Sequence, residues 1–282
     1  MVLLSVGIDE IATETQLSSG WCYFLIRNNE LANMKSEVDA LLQTANLRSF
    51  HAKNFIESET THYEQLLRII RKYIQESNPS ILSSILNNPS WNDEYIMFCE
   101  KLFSEVLRNV GANTSDFINV LKRFVPPLFQ LQSLTRNFEG QYEFFIEIDS
   151  DDVKERYPFL KTKIKVHDFN SSFFLEKFLN HYRNRQFPGS PRLAKDGLQV
   201  MKDQRSILIQ AADTIGNFSN AYIFYKLGNK SKNRVLKAKR FNNVFGDRFS
   251  HVNFNNEIEI VNNNDLRLKK DGAFTLAFGR YE

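Results

Sequence analysis

The sequence predicts an α/β fold from three observations. Short runs dense in apolar residues alternate with longer segments whose apolar residues recur every three or four positions. Turn-forming residues, mainly Gly, Pro, Asn and Ser, separate these segments. No period of roughly 20 to 50 residues repeats, which argues against a solenoid or a propeller. Strands interleaved with helices in this way are typical of an α/β domain.

Length and composition favour a soluble protein with an ample core. The 282 residues, 42% of them hydrophobic, suit one large domain or one domain with a substantial insertion. Cys22 and Cys99 have no redox or zinc spacing, which favours a reduced intracellular protein. The first residues lack the basic region of a signal peptide, and no run reaches the roughly 18 apolar residues of a membrane helix. We therefore expect a cytoplasmic protein.

The N-terminal region predicts two strands joined by a loose loop. Val2–Ile8 is a near-continuous apolar run, which is typical of a strand covered on both faces. Trp21–Ile26 predicts the second strand, and Asn28-Asn29 predicts a turn after it.

A long helical stretch follows these strands. The spacing of apolar residues predicts helices over 30–46, Thr61–Glu76, 92–110 and 115–136. Pro126-Pro127 is expected to break or kink the last of them. We interpret the region from about 61 to 137 as a helical insertion.

The second half of the chain returns to alternating strands and helices. Strands are predicted at Tyr142–Ile148, Lys163–His167 and Leu198–Met201, and helices at 172–185 and Ile207–Leu227, the latter ending at Gly228. The C-terminal region predicts a β-hairpin of Asn256–Val261 and Ala273–Phe278. We therefore divide the chain into a core of residues 1–228 and a C-terminal extension of residues 229–282.

Acidic residues fall where the predicted strands end. Asp9 and Glu10 end the first strand, Asp168 ends a middle strand with Asp149 as its alternative, and Asp203 follows a late strand. Ligands of open α/β sheets bind at such strand ends. Converging carboxylates repel one another unless a divalent cation neutralises them, and Mg²⁺ or Mn²⁺ suits oxygen ligands. The alternative is that each acid is a turn or capping residue.

Three further residues need interpretation one by one. Asp213 lies in a predicted helix of small residues that would admit a ligand, or on a solvated helix face shared with Gln210 and Asn217. His51 either acts as a general acid or orients a phosphate, or it is a histidine satisfied by its neighbours. Cys22, within the second predicted strand, is most simply a core residue.

The near-neutral total charge hides a basic segment. The net charge of the whole chain is +3, whereas the segment 226–248 alone carries +7, so the remaining residues carry −4. We predict that its central cations bind the phosphates of a nucleic acid in a salt-sensitive way; they are Lys230, Lys232, Arg234, Lys237, Lys239 and Arg240. Four phenylalanines next to them could stack on unpaired bases; they are Phe241, Phe245, Phe249 and Phe254. The alternative is a solvated loop with buried phenylalanine anchors.

Three of these segments, taken together, resemble the DUF3800 family of uncharacterised bacterial and phage proteins, which is grouped with the ribonuclease-H-like fold. Val6-Gly7-Ile8-Asp9-Glu10 resembles the family's first strand, although Ile11-Ala12 stands where the family has Ser-Gly. Phe50-His51-Ala52-Lys53 is similar to a short His-containing stretch of the family. The helical segment from Leu208 to Gly216 is similar to the family's Leu-Gln-x-Ala-Asp-x-x-x-Gly helix. The resemblance covers about 1–60 and 140–228.

The resemblance implies a ribonuclease-H-like mixed sheet of five strands, flanked by helices, with two divalent metals at its acidic centre. Asp9, Asp168 and Asp213 would be the metal ligands, followed by Glu10 and Asp203, and His51 would assist catalysis. The implied activity is a metal-dependent nuclease or phosphodiesterase, acting in phage defence or in a mobile element.

Two other functions remain open at this point. One is a non-catalytic protein that keeps the fold and binds nucleic acid or a protein. The other is a toxin or phage-defence component whose helical insertion binds a protein partner or a second copy of the chain.

Overall fold

The structure of the protein is a computed structural model. It describes residues 1–11, 19–52, 55–76, 80–86, 127–128, 131–132, 135, 142–149, 180, 189–226, 228, 231–246, 258–262, 265–268 and 273–278.

A mixed sheet of four strands lies at the centre of the molecule. These strands are β1 Val2–Ile11, β2 Ser19–Arg27, β4 Tyr142–Asp149 and β5 Arg192–Met201. β1 runs antiparallel to β2 and parallel to β4, and β5 is parallel to β4. Beyond β2 the sheet continues with two antiparallel strands, β3 Ser80–Leu86 and β8 Ala273–Phe278, in the order β5-β4-β1-β2-β3-β8. A separate two-stranded ribbon consists of β6 Ile258–Asn262 and β7 Asp265–Leu268.

Helices flank the sheet. They are α1 Asn28–Ala45, α2 Thr60–Glu76, α3 Ile207–Lys226 and α4 Lys232–Phe245, with short 3-10 helices at Glu57–Glu59 and Asp203–Arg205. α3 packs directly on β1 and β2, α2 and α4 pack on α3, and α1 packs on α2. Within the described part of the chain, no helix is both long and apolar enough to cross a membrane.

The sheet face beneath the helices carries the main core. Gly7 pairs with Phe24 and Asp9 pairs with Cys22 across β1 and β2, so these four residues lie on the α3 face. Cys22 and Phe24 are fully buried in a cluster that includes residues of all four helices. Gly7 allows α3 to approach the sheet, because a Cβ at this position would overlap the carbonyl group of Leu208.

The opposite face of the sheet is also covered. Val6 and Ile8 alternate with Gly7 and Asp9 along β1 and are fully buried. The Tyr23 hydroxyl group, also on this face, donates a hydrogen bond to the carbonyl oxygen of Pro127 at 2.8 Å. The first strand is therefore covered on both faces, as its continuous apolar run predicts.

Most predicted elements of the described part are present with shifted ends. The strands near the N-terminus, the helices α1, α2 and α3, and the strand β4 are confirmed. β5 begins at Arg192, six residues before the predicted Leu198, because it passes through an irregularity at Asp196 (φ 54°) and Gly197 that interrupts its apolar pattern. The predicted elements over 92–110 and Lys163–His167 lie outside the described residues, as do most residues of 115–136 and 172–185.

Three predictions about local structure are wrong. Asn28-Asn29 is not a turn, because α1 begins at Asn28 directly after β2. The region 61–137 is not wholly helical, because β3 lies within it and pairs with β2. The strand at 273–278 does not form the C-terminal hairpin: β7 pairs with β6 instead, and β8 joins the main sheet beside β3.

The basic segment is a further correction, because it forms the helix α4 and not a loop. Phe241 and Phe245 face inward and are 0% and 1% exposed, in contact with the core below. These two rings cannot stack on bases. Phe249 and Phe254 lie outside the described residues.

Candidate functional site

Two aspartates occupy neighbouring positions where the parallel pairing of β1 and β4 ends. Ile8 of β1 pairs with Ile148 of β4, and Asp9 and Asp149 are the next residue of each strand. Strand alternation puts both aspartates on the α3 face, and neighbouring strands lie about 4.8 Å apart. The structure thus places Asp149 on the strand next to Asp9, whereas Asp168 lies outside the described residues.

A small cavity lies at these strand ends. It has a volume of about 20 Å³, enough for one water-sized ligand. Three acidic residues line it, Asp9, Glu10 and Asp149, together with the apolar residues Ile8, Trp21, Pro127 and Ile148. Glu10 and Trp21 pair with each other on the face that carries Ile8, so the cavity lies on the side of the sheet opposite α3, and Asp9 and Asp149 only border it.

Asp213 lies on the same side of the sheet, on α3. Burial raises the pKa of the Cys22 thiol well above its ordinary value, and the negative charges of Asp9 and Asp213 raise it further. Asp9 is the strand partner of Cys22, and α3, which carries Asp213, packs on the same two strands. The Asp213 side chain is 3% exposed, which excludes the solvated helix face as its environment.

The Asp213 carboxylate accepts hydrogen bonds from the protein at both oxygens. The Asn217 side-chain amide donates to Oδ1 at 2.6 Å, and the Ala52 backbone N–H donates to Oδ2 at 2.8 Å. His51 Nδ1 lies 3.4 Å from the same Oδ2. The segment 50–52 and helix α3 are thus in direct contact.

A network of hydrogen bonds holds the segment around His51. The Phe50 N–H donates to Gln210 Oε1 at 3.0 Å. The Tyr63 hydroxyl group donates to the His51 carbonyl oxygen at 2.7 Å and accepts from the His51 N–H at 3.1 Å. Burial raises the pKa of Tyr63, so its hydroxyl group stays protonated and able to donate. The His51 side chain is 30% exposed and lies at the edge of the buried carboxylate.

The cations of α4 mostly contact other parts of the protein. Arg240 forms an ion pair with Glu64 at 2.6 Å, and Lys232 forms one with the exposed Glu57 at 2.7 Å. Arg234 lies over the Phe224 ring, 5.1 Å from its centroid. Lys239 is exposed, and Lys230 lies outside the described residues. Charge reversal of several of these residues at once would therefore disturb packing as well as any contact with nucleic acid.

Lys237 is the most buried of these cations. Its Nζ donates to the Ala52 carbonyl oxygen at 2.7 Å and lies 5.6 Å from the Phe55 ring centroid. Burial lowers its pKa, although the negative charge of Asp213 opposes this shift. Lys237 therefore binds the segment around His51 from the side opposite α3.

The described acids fit a magnesium-type site in part. Among the residues that the structure describes, no three His, Cys, Asp or Glu side chains are grouped so that they could hold one metal ion. Mg²⁺, however, usually keeps several waters and binds one or two carboxylates. Asp9 and Asp149 supply two such oxygen ligands. Asp203 lies in the 3-10 helix before α3, and its side chain is outside the described residues.

Sequence reasoning missed several polar residues that build the site. Tyr63 lies in the apolar stripe of α2 and read as a core residue, and Gln210 and Asn217 read as surface residues. The sequence signal for Gln210 and Asn217 was their spacing, because both share the helix face of Asp213. Nothing in the sequence indicated that Lys237 reaches Ala52, 185 positions earlier.

No model of a known protein family matches this chain, and no curated protein matches it. The fold and the site therefore define it only as a mixed α/β protein with several acids at the ends of its central strands.

Proposed function

We propose that the protein is a divalent-metal-dependent nuclease or phosphodiesterase that acts on nucleic acid. The observation that carries this proposal is the pair Asp9 and Asp149, which occupy neighbouring positions on the α3 face where the parallel pairing of β1 and β4 ends. Two carboxylates this close repel each other unless a proton or a cation neutralises one charge. The ends of parallel strands are also where α/β folds bind their ligands.

The strand arrangement supports a ribonuclease-H-like fold. Five of the strands, in the order β5-β4-β1-β2-β3, make a mixed sheet flanked by helices, which is the architecture that the resemblance to the DUF3800 family implies. The segments behind that resemblance meet in space, since Ala52 and His51 contact Asp213.

Mg²⁺ or Mn²⁺ at this site would be held by Asp9 and Asp149. Glu10 alternates to the opposite face of the sheet and would not be a ligand of the same ion. A bound divalent ion lowers the pKa of a coordinated water and neutralises charge on a phosphate. The protein's own residues bind and orient the phosphodiester. His51, half-exposed beside Asp213, is placed to hold or transfer a proton.

The surface cations of α4 would bind the nucleic-acid backbone. Lys239 is exposed, and the surface ion pair of Lys232 with Glu57 is weak enough to be exchanged for a phosphate. Such contacts are independent of base sequence and weaken with salt.

The test is cleavage of labelled single-stranded DNA and RNA with Mn²⁺, with Mg²⁺ and with EDTA. Asp9→Asn and Asp149→Asn should each lower the cleavage rate at least about 100-fold, as the loss of one preorganised charged group does in other active sites. Asp39→Asn, at an exposed position of α1, is the matched control and should leave the rate unchanged. Metal-independent cleavage, or full activity in both variants, would contradict the proposal.

The second candidate is a non-catalytic protein that binds nucleic acid through the same surface. The lack of a three-residue metal group among the described residues favours it. It predicts that the wild type binds the same oligonucleotides equally in EDTA and in Mn²⁺ and cleaves none of them.

A further inference from the structure

The segment Phe50–Ala52 is held from two sides by charged side chains. From α3, the Asp213 carboxylate accepts the Ala52 N–H at 2.8 Å. From α4, the Lys237 ammonium donates to the Ala52 carbonyl oxygen at 2.7 Å. Both polar groups of one peptide residue are thus bound by opposite charges, which fixes the backbone next to His51. Charge-assisted hydrogen bonds of this kind are stronger than neutral ones.

The rings around this segment make the arrangement rigid. Tyr63 stacks on Phe218 and meets Phe55 edge to face, with centroid distances of 5.6 and 5.3 Å. The Lys237 ammonium lies 5.6 and 5.7 Å from the centroids of Phe55 and Phe218, within the range of a cation–π contact. The Tyr63 hydroxyl group binds the backbone of His51 on both its N–H and its carbonyl group.

The hydrogen bonds of Asp213 connect both of its carboxylate oxygens to the protein. Its Oδ1 accepts from Asn217, and its Oδ2 accepts from Ala52 with His51 Nδ1 nearby. A carboxylate oxygen can only accept, so the contact of 3.4 Å requires the hydrogen of a neutral His51 ring on Nδ1. The nitrogen that carries the proton is set by such a partner. The distance is long for a hydrogen bond, as is common in sites without substrate.

We propose that Asp213 and Lys237 are positioning residues for His51: Asp213 fixes its ring and tautomer, and Lys237 fixes its backbone segment. Neither residue then binds the metal ion or the nucleic acid. The part of this inference that concerns catalysis rests on the proposed function, whereas the part that concerns the His51 ring does not.

The first measurement is the tautomer of His51 in the whole protein, read from ¹⁵N–¹H correlations of the imidazole rings. Spectra are recorded at about pH 8, above the ordinary histidine pKa of about 6.5. His51→Gln assigns the signal. The wild type should show the hydrogen on Nδ1, and Asp213→Asn should raise the share of the Nε2–H tautomer severalfold. A wild-type ring with its hydrogen on Nε2 would overturn the inference, even if no variant folds.

The second measurement separates positioning from metal binding. Mn²⁺ alone is titrated into each protein and followed by electron paramagnetic resonance. Asp213→Asn should keep the Mn²⁺ affinity of the wild type within about twofold. Asp9→Asn should lose at least about tenfold, because the loss of even an outer-shell partner of a metal ligand typically costs about 10- to 100-fold. A loss in Asp213→Asn as large as that in Asp9→Asn would identify Asp213 as a ligand and reject the inference.

The third measurement concerns Lys237. Lys237→Met keeps the apolar stem and removes the charge, and Lys239→Met makes the same change at an exposed position of α4. Lys237→Met should speed hydrogen exchange of the Ala52 amide at least about tenfold and lower kcat with little change in KM, and Lys239→Met should leave the exchange of the Ala52 amide unchanged. Unchanged Ala52 exchange in Lys237→Met would contradict its role. If the wild type has no nuclease activity, the proposed function is rejected. The positioning of His51 is then tested by its tautomer and by the hydrogen exchange of Ala52 alone.

Discussion

Gly7 shows how one residue decides the distance between a helix and a sheet. It lies at the middle of β1, where α3 crosses, and a Cβ there would overlap the Leu208 carbonyl group and come within 2.8 Å of the Leu208 Cβ. Asp213 and Asp9 belong to these same two elements. The absence of a side chain at Gly7 therefore sets how closely the two acids approach.

Gly7→Ala should destabilise the protein by about 3 kcal/mol, the upper end of the cost of overpacking a core, because backbone atoms must move. Urea unfolding followed by circular dichroism measures the free energy of unfolding. Gly246→Ala is the matched control: its φ is −58°, and the new Cβ would meet only the Asn242 side chain. We expect no loss there. Equal stability of Gly7→Ala and the wild type would show that α3 does not pack this closely.

Several residues of the candidate site could be predicted from the sequence because their chemistry is local. Asp9 ends a buried strand, and Asp213 lies in a helix of small residues, so each could be selected from its neighbours alone. The partners of Asp213 could not, since Ala52 contacts it across 161 positions of sequence. The middle acid stayed open between Asp149 and Asp168 because strand register is not visible in one sequence.

At the scale of elements, the junction of β4 and α3 has its own polar contact. The Ser206 hydroxyl group accepts the Ile209 N–H at 3.0 Å and so caps α3, and it also donates to the Glu147 carboxylate. Burial raises the pKa of Glu147, although the Ser206 hydrogen bond and the charge of Lys35 oppose this shift. The charged form of Glu147 is thus disfavoured in the folded protein.

This pKa predicts the direction of a pH effect. A carboxyl group whose pKa is higher in the folded than in the unfolded state contributes stability that is present below its ordinary pKa. That stability is lost as the pH rises through the raised value. Glu147→Gln cannot ionise, so its stability relative to the wild type should increase as the pH rises through this window.

Urea unfolding at a series of pH values from about 4 to about 8 measures the effect, a range that starts near the ordinary glutamate pKa of about 4.3. Glu143→Gln, on the same strand and the same face, is the control for the loss of one carboxylate. A difference between Glu147→Gln and the wild type that falls with rising pH would contradict the assignment.

The elements that the sequence predicted well are those with a strong local pattern. Helix α2 and strand β1 have long apolar periodicities that belong to one kind of structure only. Helix α4 was not predicted because its many basic residues obscure the helical spacing of four inward-facing apolar residues; they are Ala238, Phe241, Val244 and Phe245. The predicted pairing of β8 was wrong. Its pairing with β3 depends on the tertiary fold, whereas the sequence favoured a hairpin with a strand nearby in the chain.

At the scale of the whole molecule, the C-terminal part takes part in the main core. Phe241 packs against Tyr222 of α3 and Phe245, with centroid distances of 6.0 and 4.9 Å. Arg71 of α2 donates to the Val244 carbonyl oxygen. The basic residues that are concentrated in this part of the sequence thus lie near acidic residues of the rest of the fold. The cations of α4 interact with Glu57, Glu64 and Asp213.

This packing predicts that the chain unfolds as one unit across residue 228. Phe241→Ala removes a fully buried ring and should cost about 3–5 kcal/mol. Hydrogen exchange followed by mass spectrometry should show peptides of β2 and α2 losing protection together with those of α4, because all three share the core. Lys239→Ala, at an exposed position of the same helix, should leave the exchange of all three unchanged. Loss of protection confined to α4 would mean that residues 1–228 are a stable unit on their own and that α4 only lies against it.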